Sequence, residues 1–337
     1  MQVHGGGIYA FNRQILDFSA SINPLGVPQS VISAVKDSIK DIDKYPDDDC
    51  TLLTSAIAEK KGVSTENVIC GGGAEELIYA VMQALKPKTV LVLQPTFSEY
   101  ERAALTVDAQ IIKYPLDEKN GFALDEDIIN YAKRADMTVI CDPNNPTGKQ
   151  TDREVLKKIT QNSRFTVIDN SFADFCTGGE QWLYNKNIIV LYSFTKIYAV
   201  PGLRLGCVIC KDKEIIKKTD AAKPRWSVSV PAQAAGLAAL NEEDHVKKSV
   251  GYINAEKGYL YRQFDELKIK YFVSDANFIL FKSKLPLYDI LLEKGILLRD
   301  CTSFGLKGFY RIAVRTHSEN EKLIKELKSI IEHIPRA

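Results

Sequence analysis

Short apolar runs alternate with helical patterns through the first two thirds of the chain. The runs lie at 68–70, 89–93, 110–114, 137–141, 165–169, 187–192 and 205–210. Their apolar character is nearly continuous, which is expected for strands that helices cover on both faces. Helical patterns lie between several of them, as at 74–85 and 152–163. The pattern therefore predicts an α/β fold, a three-layer sandwich around a mainly parallel sheet of about seven strands.

Two features refine this picture. No helical pattern separates the runs at 187–192 and 205–210, so at least one strand should be antiparallel. After about residue 230, a long helical stretch (231–269) leads into further strands and a closing amphipathic helix at 319–334. We expect an N-terminal arm over the active site (1–40), a large domain (41–230) and a smaller α+β C-terminal domain (231–337).

Composition and charge narrow the class of protein. The 337 residues are 45% hydrophobic and 26% charged, and the net charge is +1. This balance gives no reason to expect a nucleic-acid or membrane partner. No apolar run approaches the ~18 residues of a membrane span. The N-terminus also lacks the pattern of a secretory signal, so we expect a cytoplasmic protein.

The cysteines also indicate a cytoplasmic protein. Seven cysteines are scattered along the chain, mostly in apolar strand-like segments, which is typical of reduced thiols. Cys207 and Cys210 have C-x-x-C spacing, but they lie in a strand pattern, where the two side chains face opposite sides. We expect buried structural cysteines and no metal site.

Four groups of distinctive residues follow predicted strands, where ligands bind in open α/β sheets. Gly71-Gly72-Gly73 opens a helix and suits a phosphate, although the same residues make a simple turn. The turn DPNNPTG begins at Asp142. Asp169 ends an apolar strand and would serve either as a buried carboxylate with a partner or as a helix cap. Lys196 lies among apolar residues, with hydroxyls before it and Arg204 after it.

Pyridoxal phosphate requires this combination of groups. An amine bonds its aldehyde, and a carboxylate keeps its pyridine nitrogen protonated, so that the ring withdraws electrons. Hydroxyls, glycine amides and an arginine hold its phosphate. An apolar environment lowers the pKa of a lysine, which favours the reactive free amine. A solvated surface lysine is the alternative for Lys196 taken alone.

The ordered set NNPTG, strand-end Asp, SFTK and PGLRLG resembles the fold-type I pyridoxal-phosphate enzymes of the class I/II aminotransferase superfamily. The resemblance covers essentially the whole chain. Within that superfamily the sequence is similar to the histidinol-phosphate aminotransferase branch. The segments LDFSASINPLGVP (16–28) and KYPDDDC (44–50) are most similar to the threonine-phosphate decarboxylases of cobalamin biosynthesis.

The resemblance implies a role for each matching residue. Lys196 would bond the cofactor aldehyde and move protons. The other cofactor-binding residues would be Gly72, Gly73, Ala74, Phe97, Asn145, Asp169, Ser193, Thr195 and Arg204. Tyr45 would reach the cofactor phosphate of a neighbouring subunit, which implies a homodimer. Substrate would be bound by His4, Asn23, Arg299 for a phosphate and Arg311 for a carboxylate. Phe172 departs from the family pattern, because it replaces a tyrosine that would contact the cofactor 3-oxygen.

The resemblance also implies an activity. We expect decarboxylation of a small phosphorylated amino acid, O-phospho-L-threonine, to (R)-1-amino-2-propanol phosphate. Three alternatives stay open: a histidinol-phosphate or related aminotransferase, a phosphoserine decarboxylase, and a catalytically silent binding homologue. The silent homologue would have lost Lys196, Asp169 or Arg204, and the sequence keeps all three.

Overall fold

The computed structural model describes residues 5–176 and 185–333. Its strands are β1 Leu16–Asp17, β2 Val68–Gly71, β3 Thr89–Gln94, β4 Gln110–Pro115, β5 Met137–Cys141, β6 Phe165–Asp169, β7 Ile188–Ser193, β8 Gly206–Cys210, β9 Lys270–Phe272, β10 Phe278–Lys282, β11 Ile296–Leu297, β12 Arg299–Asp300 and β13 Phe309–Ala313. Its helices are α1 Gln29–Ser38, α2 Thr51–Lys61, α3 Ala74–Leu85, α4 Glu99–Leu105, α5 Ile128–Ala132, α6 Arg153–Asn162, α7 Phe194–Ile197, α8 Lys213–Ala222, α9 Val230–Ala239, α10 Glu243–Glu266, α11 Leu287–Glu293 and α12 His317–Glu332.

The central sheet has seven strands in the order β2-β8-β7-β6-β5-β3-β4. Strand β8 is antiparallel to both of its neighbours, and the other pairs are parallel. The predicted α/β fold with a mainly parallel sheet and an antiparallel member is confirmed. The polarity of the parallel strands places the residues that follow β5, β6 and β7 at one edge of the sheet.

Two apolar cores lie on opposite faces of this sheet. Successive residues of one strand alternate between them, so that Val167 packs into one core and Ile168 into the other. All five residues of β5 are buried, as are all five of β8. The nearly continuous apolar runs of these central strands follow from this, because neither of their faces meets water.

A second sheet, in the order β12-β13-β10-β9, is antiparallel throughout. Its register places Arg299 of β12 directly opposite Arg311 of β13. The short strand β1 pairs in parallel with β11 and ties the N-terminal segment to this part of the chain. The domain boundaries at residues 40 and 230 stay predictions.

The helical stretch predicted at 231–269 is two helices, α9 and α10. The break follows from a tightened last turn, in which the Asn241 and Glu242 amides bond the carbonyls of Ala238 and Ala239. All seven cysteines are free, and both members of the C-x-x-C pair are buried in β8. Within the described ranges, no group of side chains could hold a metal ion. None of the helices in those ranges has the length and apolar content that crossing a bilayer requires.

Candidate active site

A cavity of about 240 Å³ lies at the edge of the central sheet where the parallel strands end. Asn145 follows β5, Asp169 ends β6 and Lys196 follows β7, and all three line it. Arg299 and Arg311 enter from the antiparallel sheet. The N-terminal segment contributes Gly5, Ser19, Ala20 and Ser21 to its wall. The cavity therefore combines a carboxylate, an amide, an amine and two guanidinium groups.

The carboxylate of Asp169 is 4% exposed and accepts three hydrogen bonds. Tyr100 donates its phenol to Oδ2 at 2.7 Å, and Ser171 donates its hydroxyl and amide to Oδ1 at 2.5 and 2.9 Å. The pKa of Tyr100 is raised well above its usual value, mainly by burial and next by the negative charge of Asp169. The phenol thus stays protonated and keeps donating. Donors of this kind stabilise a buried carboxylate in its charged form.

Sequence reasoning missed Tyr100. The available signal was its position in the segment QPTFSEY, three residues after Phe97 and in the first turn of α4. The rings of Phe97 and Tyr100 meet edge to face, with their centroids 5.6 Å apart. Phe97 itself lines the cavity, and its stacking on a cofactor ring stays a prediction.

Lys196 lies in the single turn of α7, whose first residues are held by Ser193. The Ser193 hydroxyl accepts from the Thr195 amide at 3.3 Å and caps this turn. Burial lowers the pKa of Lys196 to about 8, with help from the charges of Arg311 and Arg204. Asp169 and Glu75 oppose this effect. At neutral pH Lys196 therefore has a larger neutral fraction than an ordinary lysine.

The other end of α7 is fixed by Asn23. Its amide N–H donates to the Lys196 carbonyl at 3.1 Å, and its Nδ2 donates to the Ile197 carbonyl at 2.6 Å. Nδ2 also donates to the Ser249 hydroxyl at 2.7 Å. Asn23 is buried but is not among the residues that line the cavity. The structure thus places it behind the lysine, where it anchors the backbone of α7, and not in the space for a substrate.

Beside the cavity, the glycine turn and the residues around α7 converge. Gly73 has φ +98°, and a Cβ there would lie 2.8 Å from Arg204 Nη2. A Cβ on Gly206 would lie 2.7 Å from the Ala74 amide nitrogen. The hydroxyls of Ser193 and Thr195 are 2.7 Å apart. A side chain on Gly73 would crowd Arg204 and one on Gly206 would crowd the start of α3, so glycine at both positions lets these donors form a close cradle, of the kind that holds a small anion.

Two glutamates of α3 already contact this cradle. Glu75 Oε2 lies 3.6 Å from Arg204 Nη2, and both side chains are about half exposed. Glu76 Oε1 accepts from the Gly72 amide at 3.1 Å. Glu75 also lines the cavity, so it joins the cradle to the rest of the site.

The two arginines from the antiparallel sheet are both buried. Arg299 donates to the Asp300 carbonyl at 2.9 Å and to the Ser303 hydroxyl at 2.7 Å, and its guanidinium lies 4.9 Å from the Phe304 ring centroid. Burial lowers its pKa. Arg311 donates from Nη2 to the Ser19 carbonyl at 2.8 Å and from Nη1 to Asn145 Oδ1.

Burial also lowers the pKa of Arg311, to about 10. The Arg311 guanidinium therefore remains charged at neutral pH. Its contacts with Asn145 and Ser19 join the antiparallel sheet, the central sheet and the N-terminal segment at one point.

Three further residues from the sequence analysis are Tyr45, His4 and Phe172. Tyr45 is 82% exposed and lies away from the cavity, with its ring centroid 5.0 Å from that of Trp226. His4 lies outside the described residues. Phe172 lines the cavity and packs edge to face on Phe278 at 5.0 Å. Where the family pattern has a phenol, this chain thus presents an apolar wall.

The residues present fit pyridoxal phosphate. A Cβ on Gly73 would crowd Arg204, the hydroxyls of Ser193 and Thr195 lie together just before an amine with a lowered pKa, and a buried carboxylate ends the neighbouring strand. The chain also matches the family Aminotransferase class I and II over residues 13–327. The protein belongs to this family. It is a pyridoxal 5'-phosphate-dependent enzyme of fold type I.

Relatives with two different activities are similar to this chain. The threonine-phosphate decarboxylase of Salmonella typhimurium is 33% identical, over 96% of this chain and 93% of its own. The histidinol-phosphate aminotransferase of Moorella thermoacetica is 32% identical, over 95% of this chain and 86% of its own. The solved histidinol-phosphate aminotransferase of Clostridium acetobutylicum superposes with a TM-score of 0.87 at 28% identity, covering 95% of this chain and all of its own.

Proposed function

We propose that this enzyme decarboxylates a phosphorylated amino acid, O-phospho-L-threonine, to (R)-1-amino-2-propanol phosphate. The observation that carries this proposal is the pair of buried arginines, Arg299 and Arg311, which face each other across two strands and line one cavity. Guanidinium groups bind carboxylates and phosphates through paired, charge-assisted hydrogen bonds. A phosphorylated amino acid offers one of each. The similarity to threonine-phosphate decarboxylase supports the same substrate class.

The cofactor would be held by the residues around the strand ends. Lys196 would bond its aldehyde, Asp169 would pair with its pyridine nitrogen, Asn145 would bind its 3-oxygen and Phe97 would pack on its ring. The cradle of Gly72, Gly73, Ala74, Ser193, Thr195 and Arg204 would bind its phosphate. When bound, pyridoxal phosphate supplies an electron sink for the pair of electrons left on the substrate α-carbon.

The chain's own groups would then decide which bond breaks. Arg311 binds the substrate carboxylate and Arg299 its phosphate, and together they fix the orientation of the bond from the α-carbon to the carboxylate. That bond breaks and carbon dioxide leaves. Lys196 Nζ then delivers a proton to the α-carbon, and its pKa of about 8 allows it both to hold and to release that proton near neutral pH.

The test uses the purified holoenzyme with two sets of substrates. We expect carbon dioxide release from O-phospho-L-threonine alone, little from unphosphorylated threonine, and loss of that preference in Arg299→Gln. Turnover of histidinol phosphate with 2-oxoglutarate, without release from phosphothreonine, would overturn the proposal. Phosphoserine differs by one methyl group, which gives only about 1–3 kcal/mol of discrimination, so it belongs in the same assay.

Histidinol-phosphate transamination is the second candidate. It is favoured by the similarity to histidinol-phosphate aminotransferases over nearly the whole chain. That substrate has a phosphate for Arg299 but no carboxylate, and Arg311 would then serve the amino-acid partner of the reaction. The assay above separates the two activities.

We also propose that the enzyme works as a homodimer. Large side chains of one surface region are exposed, namely Ile39, Ile42, Tyr45, Leu52 and Trp226. Such a cluster is typical of an interface. In a second copy packed on this region, Tyr45 would reach the neighbouring cofactor phosphate. Sedimentation of the purified holoenzyme as a monomer would contradict this proposal.

A further inference from the structure

The side chain of Ser21 is buried in the wall of the active-site cavity, with 3% of its surface exposed. Among residues 5–176 and 185–333, no group bonds its hydroxyl. A buried hydroxyl without a partner is costly, and most such groups are paired. In a ligand cavity, the ligand itself is the natural partner for such a hydroxyl.

Hydrogen bonds fix the residues on both sides of Ser21, and they show where Ser21 lies in the site. Ser19 donates its hydroxyl to Asp17 Oδ1 at 2.6 Å, and its carbonyl accepts from Arg311 Nη2 at 2.8 Å. Two residues beyond Ser21, the Asn23 amide donates to the Lys196 carbonyl at 3.1 Å. Ser21 is thus held between the segment that touches Arg311 and the segment that anchors the lysine.

Arg311 has an unused donor as well. Its Nη1 bonds Asn145 and its Nη2 bonds Ser19, whereas its buried Nε has no partner in the part of the chain that the structure describes. Ser21 and Arg311 line the same cavity. Two such donors in the wall of one cavity, one of them part of a guanidinium, suit a planar anion with two oxygens, which is the geometry of a carboxylate.

We propose that the Ser21 hydroxyl donates a hydrogen bond to the substrate α-carboxylate, beside Arg311, and so favours carboxylated substrates. The inference rests on the proposed function only in that the enzyme takes an amino acid. It does not depend on the phosphate or on the reaction that follows. Ser21 is then a substrate-binding residue that the family motifs did not single out.

The test compares ligands that differ by the carboxylate. Each ligand is titrated into the Ser21→Ala holoenzyme, and the change in cofactor absorbance gives its Kd. We expect O-phospho-L-threonine to bind more weakly by on the order of tenfold, as for a lost hydrogen bond to a charged group. Binding of 1-amino-2-propanol phosphate, which lacks the carboxylate, should stay within about twofold.

A matched control is Thr166→Val. Thr166 in β6 also has a fully buried hydroxyl that no group of the described residues bonds, but it does not line the cavity. Its loss should leave both dissociation constants unchanged. Equal weakening of the two ligands by Ser21→Ala, or no weakening of either, would overturn the inference.

Failure of the proposed function would give a different result in this binding assay. A wild-type enzyme that does not bind phosphothreonine overturns the proposed substrate. The same comparison is then made with L-glutamate, which has carboxylates, and histidinol phosphate, which has none. Ser21→Ala should weaken only glutamate. If the wild type binds neither phosphothreonine nor glutamate, both the proposed function and this inference are wrong.

Discussion

The phenol of Tyr100, in α4, donates a hydrogen bond to Asp169 Oδ2 at the end of β6, at 2.7 Å. Strands β4 and β5 lie between α4 and β6 along the chain. Tyr100 is fully buried. The carboxylate that we propose to pair with the cofactor ring is therefore held by a neutral donor. A rigid, fully bonded carboxylate loses little orientation when the cofactor arrives.

Tyr100→Phe should weaken pyridoxal phosphate binding by roughly tenfold, because a hydrogen bond to a charged group is worth about 1.5–3 kcal/mol. Titration of the apoenzyme with the cofactor, followed by absorbance, measures this. Tyr114→Phe is the matched control, since Tyr114 donates to Asp125 Oδ1 at 2.5 Å outside the cavity. Equal cofactor affinity in the two variants would contradict the role of Tyr100.

Gly73→Ala should abolish tight cofactor binding. Gly73 has φ +98°, and the added Cβ would lie 2.8 Å from Arg204 Nη2, so the methyl group would displace a donor of the cradle. Gly121 has φ +69° with nothing within 4 Å of the added Cβ. Gly121→Ala should therefore lower thermal stability through backbone strain but bind the cofactor normally. If Gly73→Ala retained full cofactor affinity, the cradle would be placed wrongly.

The pKa of Lys196 predicts a pH profile with opposite responses to two substitutions. Imine formation needs the neutral amine, so the rate with free pyridoxal should rise with pH and level off above about 8. Arg311→Gln removes a charge that lowers this pKa and should move the inflection to higher pH. Glu75→Gln removes a charge that raises it and should move the inflection to lower pH. Stopped-flow absorbance of the apoenzyme gives both profiles, and a shift of either inflection in the opposite direction would refute the electrostatic account.

Ile42→Glu should dissociate the proposed dimer and weaken cofactor binding, because a charge at a buried apolar contact is costly. Ile42 is 60% exposed in one chain and lies near Tyr45. Val273, which is 61% exposed, gives the matched control Val273→Glu on the antiparallel sheet side. Analytical ultracentrifugation should find a monomer for the first variant and an unchanged mass for the second. A dimer in both would place the interface elsewhere.

Sequence reasoning identified the elements and the chemistry of the strand ends. The apolar runs are strands because both faces of the sheet are covered, and a residue such as Asp169 at the end of one must then lie at the ligand edge. Glycines at 72 and 73 and the lysine of SFTK are local signals, since their chemistry depends on the few residues around them. For these residues, the local sequence pattern is sufficient to predict a place at the ligand edge of the sheet.

The contacts of Asn23 and Tyr100 could not be predicted from the sequence pattern. The family resemblance placed Asn23 at the substrate, but its side chain is used by the Ile197 carbonyl and Ser249, contacts far apart in sequence. The contact of Tyr100 follows only from the fold, in which its phenol reaches from α4 to the end of β6. Hydrogen bonds between distant segments depend on the packing of elements, which periodicity does not encode.

The sequence by itself determined the sheet, the order of the strand-end residues and the set of groups that suits pyridoxal phosphate, because these depend on local period and local chemistry. Only the tertiary structure decided that Arg299 lies opposite Arg311, that Arg311 touches Asn145 and Ser19, and that Ser21 lies in the cavity wall with no partner for its hydroxyl among the described residues. Register and packing bring these residues together across almost three hundred positions of the chain. The substrate end of the site is built from such contacts, whereas the cofactor end is built largely from strand ends.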